Sequence, residues 1–349
     1  MGEGARAYSR RAVDVSARTL RGVTPARLLA DDRTAARAAR VGQGTLRTAT
    51  LPGDVVSLGR FHLAPADARD DGALWRRASG GRVVPCGDGF VVLSLILPHR
   101  SALESDDPHA LRPEQVMNRC VRGLLDGLNA LGVSALYPGR DTVTAGGQPL
   151  ALVSFDGDAG GVLLFEAVVS VERDWSALPA MLDRVDPGGV VRASFVLPGA
   201  ATSVARELGR AAEVDDVMAA LQQGYAARLG GVVADGPAPQ AAGDAGAWLR
   251  ARVPRPDLDR HGWSPTMLGT LDVHLATAGG VLREVMLSGD VIAPAPTIAS
   301  LEAGLRGCPA ARDAVQAVVG RVFAAPDAFV LGIGPLTTIT DTVMRAIGT

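Results

Sequence analysis

The sequence contains no lysine, because all 35 residues counted as Lys+Arg are arginine. This absence excludes lysine nucleophiles, Schiff bases formed by the protein, and the phosphate-binding lysine of Walker-type loops. Cysteine is also scarce. Cys86, Cys120 and Cys308 are an odd number without close spacing, which disfavours a disulfide framework and a cysteine-rich zinc site. This usage is typical of a protein that works in a reducing compartment.

Long apolar segments and a strong net charge are lacking as well. The longest apolar run, residues 90–98, is too short to span a bilayer, and the start of the chain has no apolar core typical of a signal peptide. The formal net charge is only -2, so no long-range field favours nucleic acid or an anionic membrane. We therefore expect a cytoplasmic protein that binds neither.

The histidines give no sign of a metal site in the sequence. They show no i, i+3 or i+4 pairing and no HExxH pattern, so we predict no metal. The five are His62, His99, His109, His261 and His274.

At 349 residues the chain is long enough for two domains. We predict an N-terminal segment (1–44) with a helix near residues 25–40, and a main domain over 45–233. Residues 234–246 have almost no large apolar side chains and are predicted to be a linker, followed by a small domain over 247–349. The predicted fold class is α+β.

The elements of the main domain follow from apolar periodicity and from glycine turns. Apolar stripes at helical spacing predict helices over 113–131 and 213–229, the first of them the clearest. β-Branched and apolar runs predict strands over 54–58 and 90–97, and a hairpin of 150–155 with 162–171. In the small domain, strands 271–275 and 281–287 bracket a Gly-Gly turn, and helices follow over 298–305 and 311–323.

Several short motifs occur in an informative order. Residues 56–62 (VSLGRFH) form a strand and a Gly-Arg turn, and residues 76–81 (RRASGG) precede an apolar strand. Residues 138–142 (PGRDT) follow the long helix, and GGV at 279–281 and SGDV at 288–291 precede the last predicted helices. In this order the motifs resemble those of the lipoate-protein ligase A family, whose RRxSGGG and GRND segments match the second and third pieces. The resemblance covers about residues 45–325.

This resemblance implies the biotin/lipoate-protein-ligase catalytic fold, with mixed sheets flanked by helices and a small α+β accessory domain. It implies lipoate or octanoate as substrate, ATP with magnesium, and a carrier protein or lipoyl domain as acceptor. A Ser-Gly-Gly turn allows close backbone approach to a ligand, and the arginines offer planar charged donors to a carboxylate or phosphate. The candidate ligand-binding residues are Arg76, Arg77, Ser79, Gly80, Gly81, Arg82, Gly139, Arg140 and Asp141.

The chain also departs from the family pattern. The family's Lys-[Ile/Val]-Ser-Gly motif aligns with residues 149–152, which places Pro149 where the lysine should be. Proline offers neither a charge nor a backbone donor. Arg82 replaces the third loop glycine, Cys86 the histidine that usually follows, and Asp141 the asparagine of GRND.

Loss of one preorganised positive donor typically costs ~2.7–4 kcal/mol of transition-state stabilisation. Arg140 or Arg82 is the candidate to supply the missing charge. Three functions stay open: a ligase that binds and transfers an acyl group, a non-catalytic acyl-adenylate-binding or regulatory homologue, and an octanoyl or lipoyl transferase that uses Cys86 as its nucleophile. A ligase for a different carboxylic acid fits the same changes.

Overall fold

A mixed sheet and two three-stranded sheets form the framework of the computed structural model, which describes residues 13–69, 71–99, 102, 115–191, 200–229, 233–234 and 245–348. The strands within this part of the chain are β1 Val15–Leu20, β2 Gly44–Ala49, β3 Asp54–Leu58, β4 Leu74–Arg76, β5 Val84–Gly87, β6 Phe90–Leu97, β7 Ala135–Leu136, β8 Thr142–Ala145, β9 Gln148–Gly157, β10 Leu163–Ser170, β11 Val233–Ala234, β12 Arg260–Pro265, β13 Thr270–Ala278 and β14 Val281–Gly289. The helices in the same residues are α1 Pro25–Ala39, α2 Val116–Ala130, α3 Leu178–Val185, α4 Val204–Leu208, α5 Val214–Arg228, α6 Ala245–Leu249, α7 Ala295–Leu305, α8 Arg312–Phe323 and α9 Thr337–Ile347.

The large sheet has the spatial order β11-β1-β2-β6-β10-β9-β8-β7 among the described residues. Strands β6, β10 and β9 lie at its centre and pair antiparallel. Every side chain of β6 is buried, as expected for a strand covered on both faces. This confirms the predicted strand over 90–97 and the predicted hairpin of β9 with β10.

Helices α2 and α5 pack closely against each other on one face of this sheet. A Cβ on Gly224 would stand 2.3 Å from the Gly123 carbonyl oxygen, so the two helices approach at glycine. The Tyr225 hydroxyl donates a hydrogen bond to the Cys120 carbonyl at 2.7 Å. Both helices were predicted; α2 begins at Val116, and the predicted start at residue 113 lies outside the described residues.

The small sheet β4-β3-β5 lies across from the large sheet and carries the RRASGG segment at the end of β4. Strand β3 pairs parallel with β4 and antiparallel with β5. An apolar cluster with Trp75, Cys86, Phe90 and Leu152 fills the space between the two sheets. The segment between β4 and β5 is therefore anchored at both ends by strands that pack against the large sheet.

The C-terminal unit consists of the sheet β12-β13-β14 with α7, α8 and α9 on one face. The predicted hairpin and the two predicted helices are confirmed as β13, β14, α7 and α8. Strand β12 and helix α9 were not predicted. None of the helices in the described residues has the length and hydropathy required to cross a bilayer.

The N-terminal segment is more closely integrated than the sequence suggested. Helix α1 confirms the predicted helix, but β1 precedes it and pairs parallel with β2 over six residue pairs. Residues 15–20 and 44 therefore belong to the large sheet. Most of the predicted linker, residues 235–244, lies outside the described residues, and the division into domains stays a prediction.

Candidate functional site

Two of the motifs meet in space. The Arg82 Nε donates to the Asp141 carboxylate at 2.5 Å, and this ion pair joins the segment after β4 to the segment before β8. The Ser79 and Ser154 hydroxyls lie 2.6 Å apart, which links the first segment to β9 as well. The structure thus brings residues 79–82, Asp141 and the middle of β9 together at one end of the large sheet.

The Ser-Gly-Gly turn uses its backbone donors inside the protein. Ser79 N–H donates to Glu166 Oε2 at 2.9 Å, Gly80 N–H to the Phe155 carbonyl at 3.2 Å, and Gly81 N–H to the Val291 carbonyl at 2.7 Å. A Cβ on Gly80 would stand 2.2 Å from the Val291 carbonyl oxygen. Because Gly80 has no side chain, the backbone carbonyl of Val291, in the C-terminal unit, packs directly against this turn.

Arg76 is buried, and the backbone of the protein satisfies its guanidinium. Its guanidinium donates to the backbone carbonyls of Gly59, Arg60, His62, Trp248, Leu249 and Arg252. Trp248 Nε1 donates to the Arg76 carbonyl at 2.9 Å. Arg76 therefore ties the Gly-Arg turn to the segment that enters the C-terminal unit, and we do not keep it as a ligand-binding residue.

Arg77 is also fully buried. Its Nη2 donates to the Gly80 carbonyl at 2.6 Å, and its Nη1 lies 3.4 Å from the Ser57 carbonyl. Burial lowers the pKa of Arg77, and the nearby Glu166 carboxylate opposes that shift. The hydrogen bonds of Arg77 to Gly80 and of Ser79 to Glu166 together fix the conformation of residues 79–81.

The Arg82–Asp141 pair consists of two departures from the family motifs. The extra carboxylate at 141 is nearly inaccessible, with 1% of its side chain exposed, whereas Arg82 is 13% exposed. Burial raises the pKa of Asp141, and the adjacent Arg82 guanidinium lowers it. The charge introduced at one motif is thus neutralised by the charge introduced at the other.

Gly139 and Arg140 lie beside this pair at the surface. Both are exposed, and Gly139 adopts a φ of +92°, a conformation that favours glycine. The Tyr137 hydroxyl donates to the Arg140 carbonyl, which holds the turn. Arg140 is therefore accessible from solvent, while Asp141 next to it is not.

The position of the family lysine lies at an irregular point of the sheet. Pro149 is paired with Thr144 beside a β-bulge, and its carbonyl accepts a hydrogen bond from Thr202 N–H at 2.9 Å. A bulge is a place where a strand tolerates proline. Leu152, which stands where that motif has glycine, is 1% exposed within the cluster between the sheets.

Cys86 shares that cluster. It is completely buried on β5, and burial raises its pKa to about 12. A thiol in this environment is protonated at neutral pH and has no access to substrate. We therefore do not keep Cys86 as a nucleophile.

The comparisons with known proteins agree with these motifs. A family model described as the lipoyl protein ligase A/B catalytic domain matches residues 34–226, more than half of the chain. The chain belongs to the lipoyl protein ligase A/B family. A search of curated proteins finds no match.

Solved structures of lipoate-protein ligases share the fold. The structure of P. falciparum LipL1 in complex with lipoate matches with a TM-score of 0.68 at 12% identity, covering 95% of this chain and 99% of that chain. The putative lipoate-protein ligase Ta0514 from T. acidophilum matches with a TM-score of 0.47 at 18% identity, covering 64% of this chain and 88% of that one. The similarity to LipL1 confirms the predicted fold class and covers the C-terminal unit as well.

In this member of the lipoyl protein ligase family, polar contacts that the sequence did not reveal join the site to the C-terminal unit. Asp156 accepts hydrogen bonds from Arg60 at 2.7 Å and from Ala295 N–H, at the start of α7, at 2.8 Å. Burial raises the pKa of Asp156 to about 6. The buried His62 ring lies 3.1 Å from Asp290 Oδ1. These partners are more than 90 residues apart, so no local pattern could indicate them.

An open cavity of about 460 Å³ lies elsewhere, between the start of α1 and the small sheet. Its lining includes Pro25, Asp54, Gly72 and Trp75, and none of the predicted site residues. This cavity lacks the chemistry of the family motifs. We therefore assign the candidate site to residues 79–82 and 139–141.

Proposed function

We propose that this lipoyl protein ligase family member binds a lipoate-type acyl group, as the free acid or the acyl-adenylate, beside Arg82, and does not carry out lysine-dependent ligation. The observation that carries the proposal is the Arg82–Asp141 ion pair, which puts a new cation where the two ligand-binding motifs meet. The proposal keeps the acyl specificity of the family and assigns this chain a binding or regulatory role.

The binding half rests on the accessibility of charge at this point. Arg82 is partly exposed, and the exposed Gly139 and Arg140 lie beside its partner. The planar guanidinium of Arg82 can bind two acceptors at once. A ligand carboxylate or phosphate can therefore take one of its donor positions while Asp141 keeps the other. We expect Arg82 and Arg140 to be the main cationic contacts.

The absence of ligation rests on Pro149 and on the engaged turn. The family's lysine contacts the acyl carbonyl and the phosphate of the intermediate, whereas the sequence has no lysine at any position. Arg76 and Arg77 are buried among protein acceptors, and the N–H groups of residues 79–81 donate to protein oxygens. A missing positive donor alone slows the reaction about a hundred- to a thousandfold.

Adenylation would require ATP with magnesium, and transfer would require an acceptor such as a carrier protein or a lipoyl domain. Under our proposal such a partner meets the chain only as a binding partner. The alternative of a cysteine-dependent transferase has less support, since the Cys86 thiol is buried and protonated.

The test combines turnover with binding. ATP–pyrophosphate exchange is measured with lipoate and with octanoate, and the melting temperature is measured with a non-hydrolysable sulfamoyl analogue of the acyl-adenylate. We expect no exchange, together with a higher melting temperature, because a ligand at a hundredfold excess over its Kd stabilises the native state by about 2.7 kcal/mol. The control variant Arg312→Gln, which breaks a surface ion pair in the C-terminal unit, should show the same rise in melting temperature as the wild type.

The two halves of the proposal fail separately. Exchange above background would show that another group replaces the lysine, with Arg82 the first candidate. An unchanged melting temperature with the sulfamoyl analogue at millimolar concentration would remove the acyl-adenylate as ligand.

A further inference from the structure

Three polar side chains of the C-terminal unit, none of them among the residues of the candidate ligase site, converge at one point. His261 on β12 and Asp272 and His274 on β13 each offer a ligand atom, and these atoms all lie within 4.8 Å of one another. His261 Nε2 is 2.8 Å from Asp272 Oδ1, and the two imidazole rings stack with their centroids 4.6 Å apart. No sequence motif predicted this group of side chains.

The strand register produces the cluster. His261 is paired directly with His274 across the antiparallel strands, and Asp272 shares a face with His274 because alternate residues of a strand point the same way. Paired residues on one face have Cβ atoms about 4.5–5.5 Å apart. Leu271, Val273 and Leu275 on the opposite face pack into the core of the unit, so the register is fixed.

From this geometry we propose that His261, Asp272 and His274 form a binding site for one divalent transition-metal ion of the zinc type. Two imidazoles and one carboxylate are a ligand set used by open zinc sites, in which water completes the coordination. Zinc–ligand bonds of about 2.0–2.2 Å bring ligand atoms to roughly 3.3–3.5 Å from one another. Modest side-chain rotations achieve this from the observed separations.

The surroundings favour a metal in two ways. The Thr270 hydroxyl donates to Asp272 Oδ2 at 3.1 Å, so it orients the carboxylate and leaves Oδ1 directed at the histidines. The cation Arg252 is paired with Glu302 at 2.6 Å, which limits its repulsion of a metal.

The side chain of His261 is 47% exposed and Asp272 is 3% exposed, so the site opens to solvent on one side. The three cysteines are buried and therefore do not compete for the ion. A bound ion would connect β12 to β13 and hold the sheet of the C-terminal unit together.

The test is a calorimetric titration of the full chain with Zn²⁺, and of the Co²⁺ form by visible absorption. We expect one ion per chain, with d–d bands of a nitrogen- and oxygen-ligated cobalt ion. Loss of an outer-shell partner alone costs about 10–100-fold in metal affinity, so the loss of a direct ligand in His261→Gln should weaken binding at least tenfold. Asp272→Asn should weaken it similarly, and His99→Gln, a histidine change outside the cluster, should leave it unchanged.

Because the exposed His261 can be replaced without disturbing the core, its variant should stay folded by circular dichroism. Tenfold weaker binding in His261→Gln beside an unchanged His99→Gln supports the site. Absence of Zn²⁺ binding by the wild-type chain, or equal affinities in the two variants, would overturn the proposal. Neither result depends on the acyl-binding function.

Discussion

At the scale of single residues, Arg82 and Asp141 compensate each other. Each alone would add a charge to a motif that has none there in the family, but the structure pairs them at 2.5 Å with Asp141 buried. Breaking such a pair by removing one partner leaves an uncompensated charge in the interior. The two positions should therefore be strongly coupled.

We predict that Arg82→Ala lowers the free energy of unfolding by about 3–5 kcal/mol, the usual effect of orphaning a buried charge. The double variant Arg82→Ala with Asp141→Asn should recover most of that loss, because the amide carries no charge. Urea denaturation of wild type, both single variants and the double variant measures the coupling. Additive effects would contradict the compensation.

A second prediction concerns the missing lysine. Pro149→Lys would introduce the only lysine of the chain, at the position of the family motif. We expect ATP–pyrophosphate exchange, which our proposal expects to be absent in the wild type, to become measurable above background, because one preorganised positive donor supplies about a hundred- to a thousandfold in rate. Gln148→Lys is the matched control, since successive strand residues point to opposite faces. Equal exchange in the two variants would show that the lysine position has lost its relation to the site.

At the scale of elements, the turn after β4 and the segment after β14 form one joint. Gly81 N–H binds the Val291 carbonyl, and the missing side chain of Gly80 lets that carbonyl approach. Residues 79–81 thus connect the main part of the chain to the C-terminal unit. Any side chain at position 80 must displace backbone atoms.

We predict that Gly80→Ala lowers the free energy of unfolding by about 1–3 kcal/mol, as overpacking of an interior usually does. Gly320→Ala is the matched control, because its Cβ would meet nothing within 4 Å and alanine favours the helix α8. That variant should be unchanged or slightly more stable in the same urea titration. If Gly80→Ala proved as stable as Gly320→Ala, the joint would not be tightly packed.

The elements that sequence could predict are those with a clear apolar pattern. Helices α2 and α5 have apolar residues at helical spacing, strand β6 is a continuous apolar run, and all three were located within a few residues. Local propensity did not predict strand β1 (VSARTL) or helix α9 (TTITDTVMRAI), so tertiary packing determines their secondary structure. Strand β1 lies between β2 and β11, and α9 packs on β12 and β13.

The site could be predicted in its motifs but not in its contacts. The sequence indicated the motifs of residues 79–82 and 139–141, whereas the burial of Arg76 depends on carbonyls some 170 residues away. The His261–Asp272–His274 cluster likewise requires the β12–β13 register. The one sequence signal for this cluster is an Asp-x-His pattern, Asp272 and His274, in a strand that follows another strand with a histidine, His261.

At the scale of the whole molecule, a buried group of charges supports the contact of α1 with the large sheet. Arg47 contacts Asp31 at 3.0 Å and Asp32 at 2.7 Å, and both carboxylates are buried. Desolvation raises the pKa of Asp32 to about 7, with Glu166 and Asp31 adding to the shift and Arg47 opposing it. The protonation of this group should affect global stability.

We predict that stability falls as the pH rises from about 4 to about 7. In that range the folded chain keeps a proton on Asp32 that the unfolded chain has released, and one such proton changes stability by at most about 1.4 kcal/mol per pH unit. Asp156, with a raised pKa of about 6, acts in the same direction. Asp32→Asn should therefore flatten the profile in part, while Asp257→Asn at the surface should not change it. Urea midpoints measured from pH 4.5 to 8 test this, and an unaltered slope in Asp32→Asn would refute it.

The central claim is that the candidate site beside Arg82 still binds the family's activated acyl group. Its most direct test is a calorimetric titration of the wild-type chain with the sulfamoyl analogue of lipoyl-adenylate. The account predicts one bound molecule per chain and much weaker binding in the double variant Arg82→Gln with Asp141→Asn, which removes both charges together. No binding by the wild type, or the same affinity in the double variant, would contradict it.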